Sequence, residues 1–166
     1  MEIGTPIQNA GVVLMWPFLS KYFEMLEMTE KGTFKTDKDK IRAVLLIQYI
    51  ASGVAEAPEH ELILNKVLCA LPISTPVPLK INLSEKEKDI TAQLFQGMIG
   101  NWGRKSSPEA IQEGFFKREG FILEKEKTWS LTVEKKTVDI LLQKLPWAIG
   151  MIKLPWMQKR LIVEWI

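Results

Sequence analysis

Apolar and polar positions switch between a helical and a strand period along this chain, and proline and glycine mark the switches. From residue 7 to 28 the apolar positions keep a helical period, interrupted at Trp16-Pro17. Pro17 fits either a kink or the first turn of a second helix, after which Phe18, Tyr22, Met25 and Leu26 share one face. The polar run 31–40, with Gly32 in it, predicts a loop. Asp37 and Asp39 stand where acids favour a helix N-terminus, and 41–51 is apolar on most faces, which predicts a central, buried helix ended by Ser52-Gly53. Pro58-Glu59 opens a further helix over 59–70. Pro72, Pro76 and Pro78 then predict an extended crossing strip, and 71–83 is the best candidate for an internal boundary.

In the second half Ser84 and Glu87 make a capping box, and Ile90, Leu94, Phe95, Met98, Ile99 and Trp102 follow on one helical face until Gly103. Ser107-Pro108-Glu109 combines an N-cap, a proline at the first helical position and a first-turn acid, and Lys117-Arg118 with Gly120 supply the C-terminal end. Residues 121–123 and 129–133 have strand character, with Trp129, Leu131 and Val133 on one face, and a hairpin turns near Glu126-Lys127. Val138, Leu141, Leu142 and Leu145 return to helical spacing, and 161–166 is a last strand. The pattern predicts an α+β fold: a mostly helical domain with a small antiparallel β-sheet formed by C-terminal segments, one domain over 1–166.

Near the C-terminus Lys-Leu-Pro-Trp occurs twice, at 144–147 and 153–156, around the apolar segment 148–152. Each proline fixes φ and pushes the leucine before it out of the helical region, so the segment between is expected to be short and extended. A fully buried tryptophan removes about 150–250 Å² from water, an upper bound of about 4–6 kcal/mol, so the pair makes a packing centre. Aromatic anchors flanked by basic residues occur at interfaces as well as in cores, and for Trp147 and Trp156 both readings stay open, with core favoured. Met15, Met151 and Met157 lie near these tryptophans and would make either surface adaptable. Trp147, Met151, Lys153, Trp156 and Met157 are the candidate partner-interface residues.

Composition narrows the function classes. Charged residues at 25% and hydrophobic residues at 46% are ordinary globular values over 166 residues, and a net charge of +2 demands no polyanionic partner. Cys69 is the single cysteine, so no disulfide and no multi-cysteine metal site can form within the chain, which fits a reducing cytoplasm. No signal peptide is evident after Glu2, and no apolar run approaches the roughly 20 residues of a membrane helix.

Candidate chemistry is sparse. His60-Glu61 has no second histidine anywhere to complete a zinc helix, which favours a structural histidine. Cys69, between Leu68 and Ala70, is expected in the core rather than as a nucleophile served by His60. The glycines of 97–106 miss the phosphate-loop spacing and end a helix, so a turn is expected. Glu109 and Glu113 are one turn apart on an exposed helix face, and neither they nor Glu119 are expected to form an acid/base pair. The helix from Ser107 with its hairpin has a coarse likeness to a winged helix, in which Lys117 and Arg118 could touch phosphate, but interspersed acids disfavour it. Gln8-Asn9 and Gln48 lie within apolar runs, where a buried amide must find partners, and are expected to tie backbone ends together.

The double Lys-Leu-Pro-Trp stretch resembles the C-terminal region of the contractile injection system tape measure proteins, a family associated with phage-tail-like particles. Residues 7–19, beginning Ile7-Gln8-Asn9-Ala10-Gly11, are similar to its opening motif, and Arg42-Ala43-Val44-Leu45-Leu46-Ile47-Gln48-Tyr49 to its second helix. Residues 59–69 and 115–120 fit the same pattern in the same order, so the resemblance covers nearly the whole chain. It implies a bacterial structural protein that helps set tube and sheath length, contacts baseplate and inner-tube proteins, binds neither nucleic acid nor membrane, needs no cofactor or metal, and turns over no substrate. It also implies assembly in the cytoplasm before incorporation into the particle. A ruler needs about 1.5 Å per helical residue along its length, and 166 compact residues cannot span a particle. Two expectations therefore stand side by side: an excised C-terminal domain, or a short relative that kept the docking part. An adaptor that binds a toxin or tail component without measuring length is the alternative function.

Overall fold

The break at Trp16-Pro17 separates two helices of different type. In the computed structural model, which describes residues 4–165, strand β1 (Thr5–Ile7) precedes a fully buried 3-10 helix (Ala10–Met15). Helix α1 (Trp16–Met25) follows with Pro17 in its first turn, where a missing N–H breaks no helical hydrogen bond. Of the two readings of Pro17, helix initiation is the observed one.

Residues 31–40, expected as a loop, hold more order than that. Strands β2 (Thr29–Glu30) and β3 (Thr33–Phe34) form a tight hairpin turning at Lys31-Gly32, whose φ angles of 54° and 77° meet the positive-φ requirement of a two-residue type I′ loop. Helix α2 (Asp37–Ser52) then starts at the expected acids: Thr36 Oγ1 accepts from the Asp39 N–H, and Gly53 closes the other end at φ 84°. Ala43, Val44, Leu45, Leu46 and Ile47 are wholly buried, as their apolar run predicts.

The expected helix over 59–70 divides at Leu62, whose φ of −108° departs from helical values, into a 3-10 turn (Glu59–Glu61) and α3 (Ile63–Leu68). The proline-rich strip then runs back alongside 55–57, with the Ala57 N–H bonded to the Leu79 carbonyl and the Ile81 N–H to the Ala55 carbonyl. Leu71 and Val77 of this strip belong to the same buried cluster as residues on either side of it. Helix α4 (Glu85–Trp102) carries both halves of the Ser84–Glu87 capping box and ends at left-handed Gly103.

Helix α5 (Pro108–Ile111) begins at the expected Ser107 cap but continues as a π-helix (Gln112–Phe116). Gly120, expected beyond a helix end, instead opens β4 (Gly120–Glu124), which turns through 125–127 into β5 (Thr128–Val133). Leu142 and its neighbours lie on a 3-10 helix (Thr137–Lys144), and the short extended segment between the two Lys-Leu-Pro-Trp copies is β6 (Met151–Ile152). The last strand, β7, spans Arg160–Glu164; Ile166, the end of the expected strand, lies outside the described residues.

These elements form an α+β fold whose main sheet has five strands in the order β1-β4-β5-β7-β6. Two expectations about the sheet are corrected. It is mixed, because β5 and β7 pair in parallel, and a parallel pair needs a long crossover, here supplied by the 3-10 helix and the Lys-Leu-Pro-Trp stretch. It also takes an N-terminal strand, since β1 pairs with β4 and covers an edge otherwise left open. Ile122, Leu131, Val133, Leu161 and Val163 face the core from this sheet.

The 3-10 helix crosses the π-helix at Gly11, where a Cβ would overlap the Phe115 carbonyl. Gly97 in the middle of α4 has open space instead. Urea denaturation is expected to show Gly11→Ala losing at least about 3 kcal/mol or failing to fold. The same measurement on Gly97→Ala should show a gain of about 0.5–1 kcal/mol from helix propensity.

Candidate functional site

The two tryptophans of the repeated tetrapeptide are fastened inward by their polar edges. Trp147 is half-buried, its Nε1 donates to the Leu14 carbonyl at 2.8 Å, and its ring meets Phe18 edge-on at 5.1 Å. Trp16 returns the tie by donating to the Ala148 carbonyl at 2.8 Å, so the first tetrapeptide and the start of α1 are doubly linked. Trp156 is also half-buried, donates to the Leu68 carbonyl at 2.7 Å and lies against Phe34 and Phe23. An indole N–H withdrawn from water must find an acceptor, and Leu14 and Leu68, which accept from Trp147 and Trp156, lie in the last turns of their helices where carbonyls are free.

Around them the other candidate interface residues divide by exposure. Met151 is 45% exposed on β6, and Lys153 is exposed, with its ammonium bonded to the Met157 carbonyl. Met157 itself is buried, and its sulfur accepts from the Leu154 N–H. Met15 is buried as well. Within the stretch Met151 and Lys153 are thus exposed and both tryptophans half-buried, while Leu154 and Met157 are buried.

The other sequence candidates stay apart. Cys69 is wholly buried, and burial pushes its thiol far above the ordinary range, away from nucleophilic use. His60 is exposed in a 3-10 turn, so it is not the packed structural histidine expected. Among the described residues no group of three His, Cys, Asp or Glu side chains is gathered as a metal site would require. Glu109 and Glu113 are exposed as expected, and Glu113 pairs with Lys117 one turn on. The glycines at 97 and 100 lie within α4 and Gly103 caps it, without a phosphate-loop turn.

Arg118 overturns the phosphate-contact reading, because its side chain is fully buried. It makes a bidentate pair with Asp139, at 2.9 Å and 2.6 Å, and donates to the carbonyls of Glu134 and Gly114. The Trp165 indole donates to Asp139 Oδ2 at 3.0 Å and its ring lies under the guanidinium. Burial pushes the Asp139 carboxyl up, but hydrogen bonds from Arg118, the Lys136 N–H and Trp165 outweigh it and hold the group below its ordinary value. A charged residue between Phe116 and a strand start was the available signal for burial, and Asp139 lay unremarked among apolar neighbours.

Gln8 is exposed, and Asn9 and Gln48 bond side chains rather than the backbone ends expected of them. Asn9 Nδ2 donates to Gln48 Oε1 at 3.1 Å and to Asn65 Oδ1 at 2.7 Å, while Asn65 Nδ2 donates to the Val44 carbonyl at 3.0 Å. Asn65, inside the apolar run of α3, is the member that sequence reasoning missed. Arg42 grips Glu87 with two bonds, at 2.7 Å and 2.6 Å, and so fixes α2 to the capping box of α4.

Arg118→Met leaves a buried carboxylate without its partner and is expected to cost about 3–5 kcal/mol in urea denaturation at neutral pH. Because the folded-state pKa of Asp139 is depressed, its contribution is complete above the unfolded value near 3.8 and is lost as pH falls through the lower folded value. Stability should therefore drop below about pH 4, and less steeply in Asp139→Asn. Trp147→Ala and Trp156→Ala should each cost about 2–4 kcal/mol by the same assay, through lost packing and an orphaned carbonyl.

No curated protein and no solved structure matches the chain. A family model described as contractile injection system tape measure protein matches residues 2–165. The chain belongs to the contractile injection system tape measure protein family.

Proposed function

We propose that residues 1–166 act as one docking unit in the assembly of a bacterial contractile injection particle, and that the Lys-Leu-Pro-Trp stretch meets baseplate and inner-tube proteins. The role is structural, without catalysis, and the partners are proteins. Assembly takes place in the cytoplasm, after which the unit stays with the particle. Family membership makes association with other parts of such a particle the natural frame.

The observation that carries the docking surface is the division of labour within the stretch. Met151 and Lys153 stand outward while both indole N–H groups are already bonded inside the chain. A partner meeting this surface orders little that is not already fixed, and pre-ordering is what lets a small apolar patch bind. Tryptophan edges and a methionine are the chemistry of an interface centre, and a lysine beside them is that of its polar rim.

Particles isolated from cells carrying a tagged Met151→Glu/Lys153→Glu chain or the unaltered chain test this directly. The unaltered chain should co-purify with particles, and the variant should keep its circular dichroism spectrum while its recovery falls by about tenfold or more. Equal recovery moves docking to another face. Failure of the unaltered chain to join any particle overturns the assembly role, and its recovery with a toxin alone would favour the adaptor reading.

A further inference from the structure

The solvent face of the five-stranded sheet carries an apolar row with opposite charges on its two sides. Cross-strand register sets Leu123, Ser130, Ile162 and Met151 side by side on β4, β5, β7 and β6. Ile162 is 42% exposed, and Phe121, two residues along β4 from Leu123, is 41% exposed. Along β7 the alternation turns Arg160, Ile162 and Glu164 outward while Leu161 and Val163 face the core. A two-residue step along a strand is about 6.6 Å, so guanidinium and carboxylate flank Ile162 at equal distances on either side. Neither Arg160 nor Glu164 has an ion-pair partner among the described residues.

This arrangement is complementary to itself. A two-fold axis lying between two facing sheets, perpendicular to β7 at Ile162, sets Arg160 of one copy opposite Glu164 of the other, twice, and sets Ile162 on Ile162. The same operation sets Met151 on Met151 and Leu123 on Leu123, so the apolar row meets its own copy along its length. Sheets packed face to face lie about 10 Å apart with their strands about 30° from alignment, within reach of Arg and Glu side chains. A two-fold along β7 would instead oppose Arg160 to Arg160 and Glu164 to Glu164, so the charges select the antiparallel arrangement.

We propose that this face is a self-association surface through which two copies of the chain form an isologous dimer, with Ile162 at its centre and Arg160–Glu164 pairs between copies. The proposal goes beyond the docking role and does not rest on it: Met151 belongs to both surfaces, but Arg160, Ile162 and Glu164, which the variants below change, lie outside the Lys-Leu-Pro-Trp stretch.

Sedimentation equilibrium of the full chain over a concentration series is the test, with circular dichroism on every variant. The unaltered chain should show a monomer–dimer equilibrium, and Ile162→Asp should be monomeric. Arg160→Glu and Glu164→Arg each create two like-charge pairs and should each weaken association by about tenfold or more. The double variant Arg160→Glu/Glu164→Arg rebuilds both pairs with the charges exchanged and should recover association to within about threefold of the unaltered chain. Both charge changes are on exposed positions, so they keep the test open even where Ile162→Asp fails to fold. A chain that is monomeric at every concentration, or a double variant no better than the single ones, overturns the proposal. Loss of the dimer with particle recovery intact would leave the docking role standing.

Discussion

The buried pair of Arg118 and Asp139 is the constraint on which much of the architecture depends. One guanidinium reaches the carbonyl of Gly114 in the π-helix, the carbonyl of Glu134 past the end of β5, and the carboxylate at the start of the 3-10 helix that follows. Trp165, beyond β7, joins from the far side. Two charges withdrawn from water are costly, and attraction offsets that cost only when the remaining donors and acceptors are met. Here Arg118 Nε alone has no partner. The pair therefore acts as a registration device: the crossover between β5 and β7 must pass where Asp139 can meet Arg118.

A second buried polar group does the equivalent job among the helices. Asn9, Gln48 and Asn65 join the segment before the first 3-10 helix to α2 and α3, in a region where most neighbours are aliphatic. Apolar side chains would pack at this junction in several ways, whereas three amides bond in few. Gly11 adds a steric constraint, since it lets the 3-10 helix lie directly on the π-helix backbone. Together these features explain how a chain with short, irregular helices reaches one arrangement.

Local signals made much of the fold legible in the sequence, and distant pairings made the rest illegible. The acids that open α2, the caps at Ser84 and Ser107, the apolar run of α2 and the β4–β5 hairpin depend on neighbours within a few residues, and each appears where the pattern predicts. The π-helix, the parallel pairing of β5 with β7 and the addition of β1 depend on groups far apart in the chain, which no local period encodes. The candidate surface was legible in the same partial way. Proline and tryptophan marked the stretch, but the inward bonds of both indoles and the burial of Met157 follow from Leu14, Leu68 and Leu154, which carry no distinguishing signal. Arg118 resembled a surface cation because its partner lies 21 residues further on.

The marriage of chain beginnings to chain endings bears on how the protein comes into being. Trp147 bonds a carbonyl 133 residues earlier, Trp16 bonds one 132 residues later, and β1 finds its only strand neighbour in β4. On the ribosome the early segments emerge long before these partners exist, so the Leu14 carbonyl and the Trp16 indole wait without them until residues 147 and 148 are synthesised. Such high contact order slows folding and lengthens the time during which sticky surface is open to other chains. Quality control by chaperones would then act chiefly on the interval before residues 147 and 148 appear.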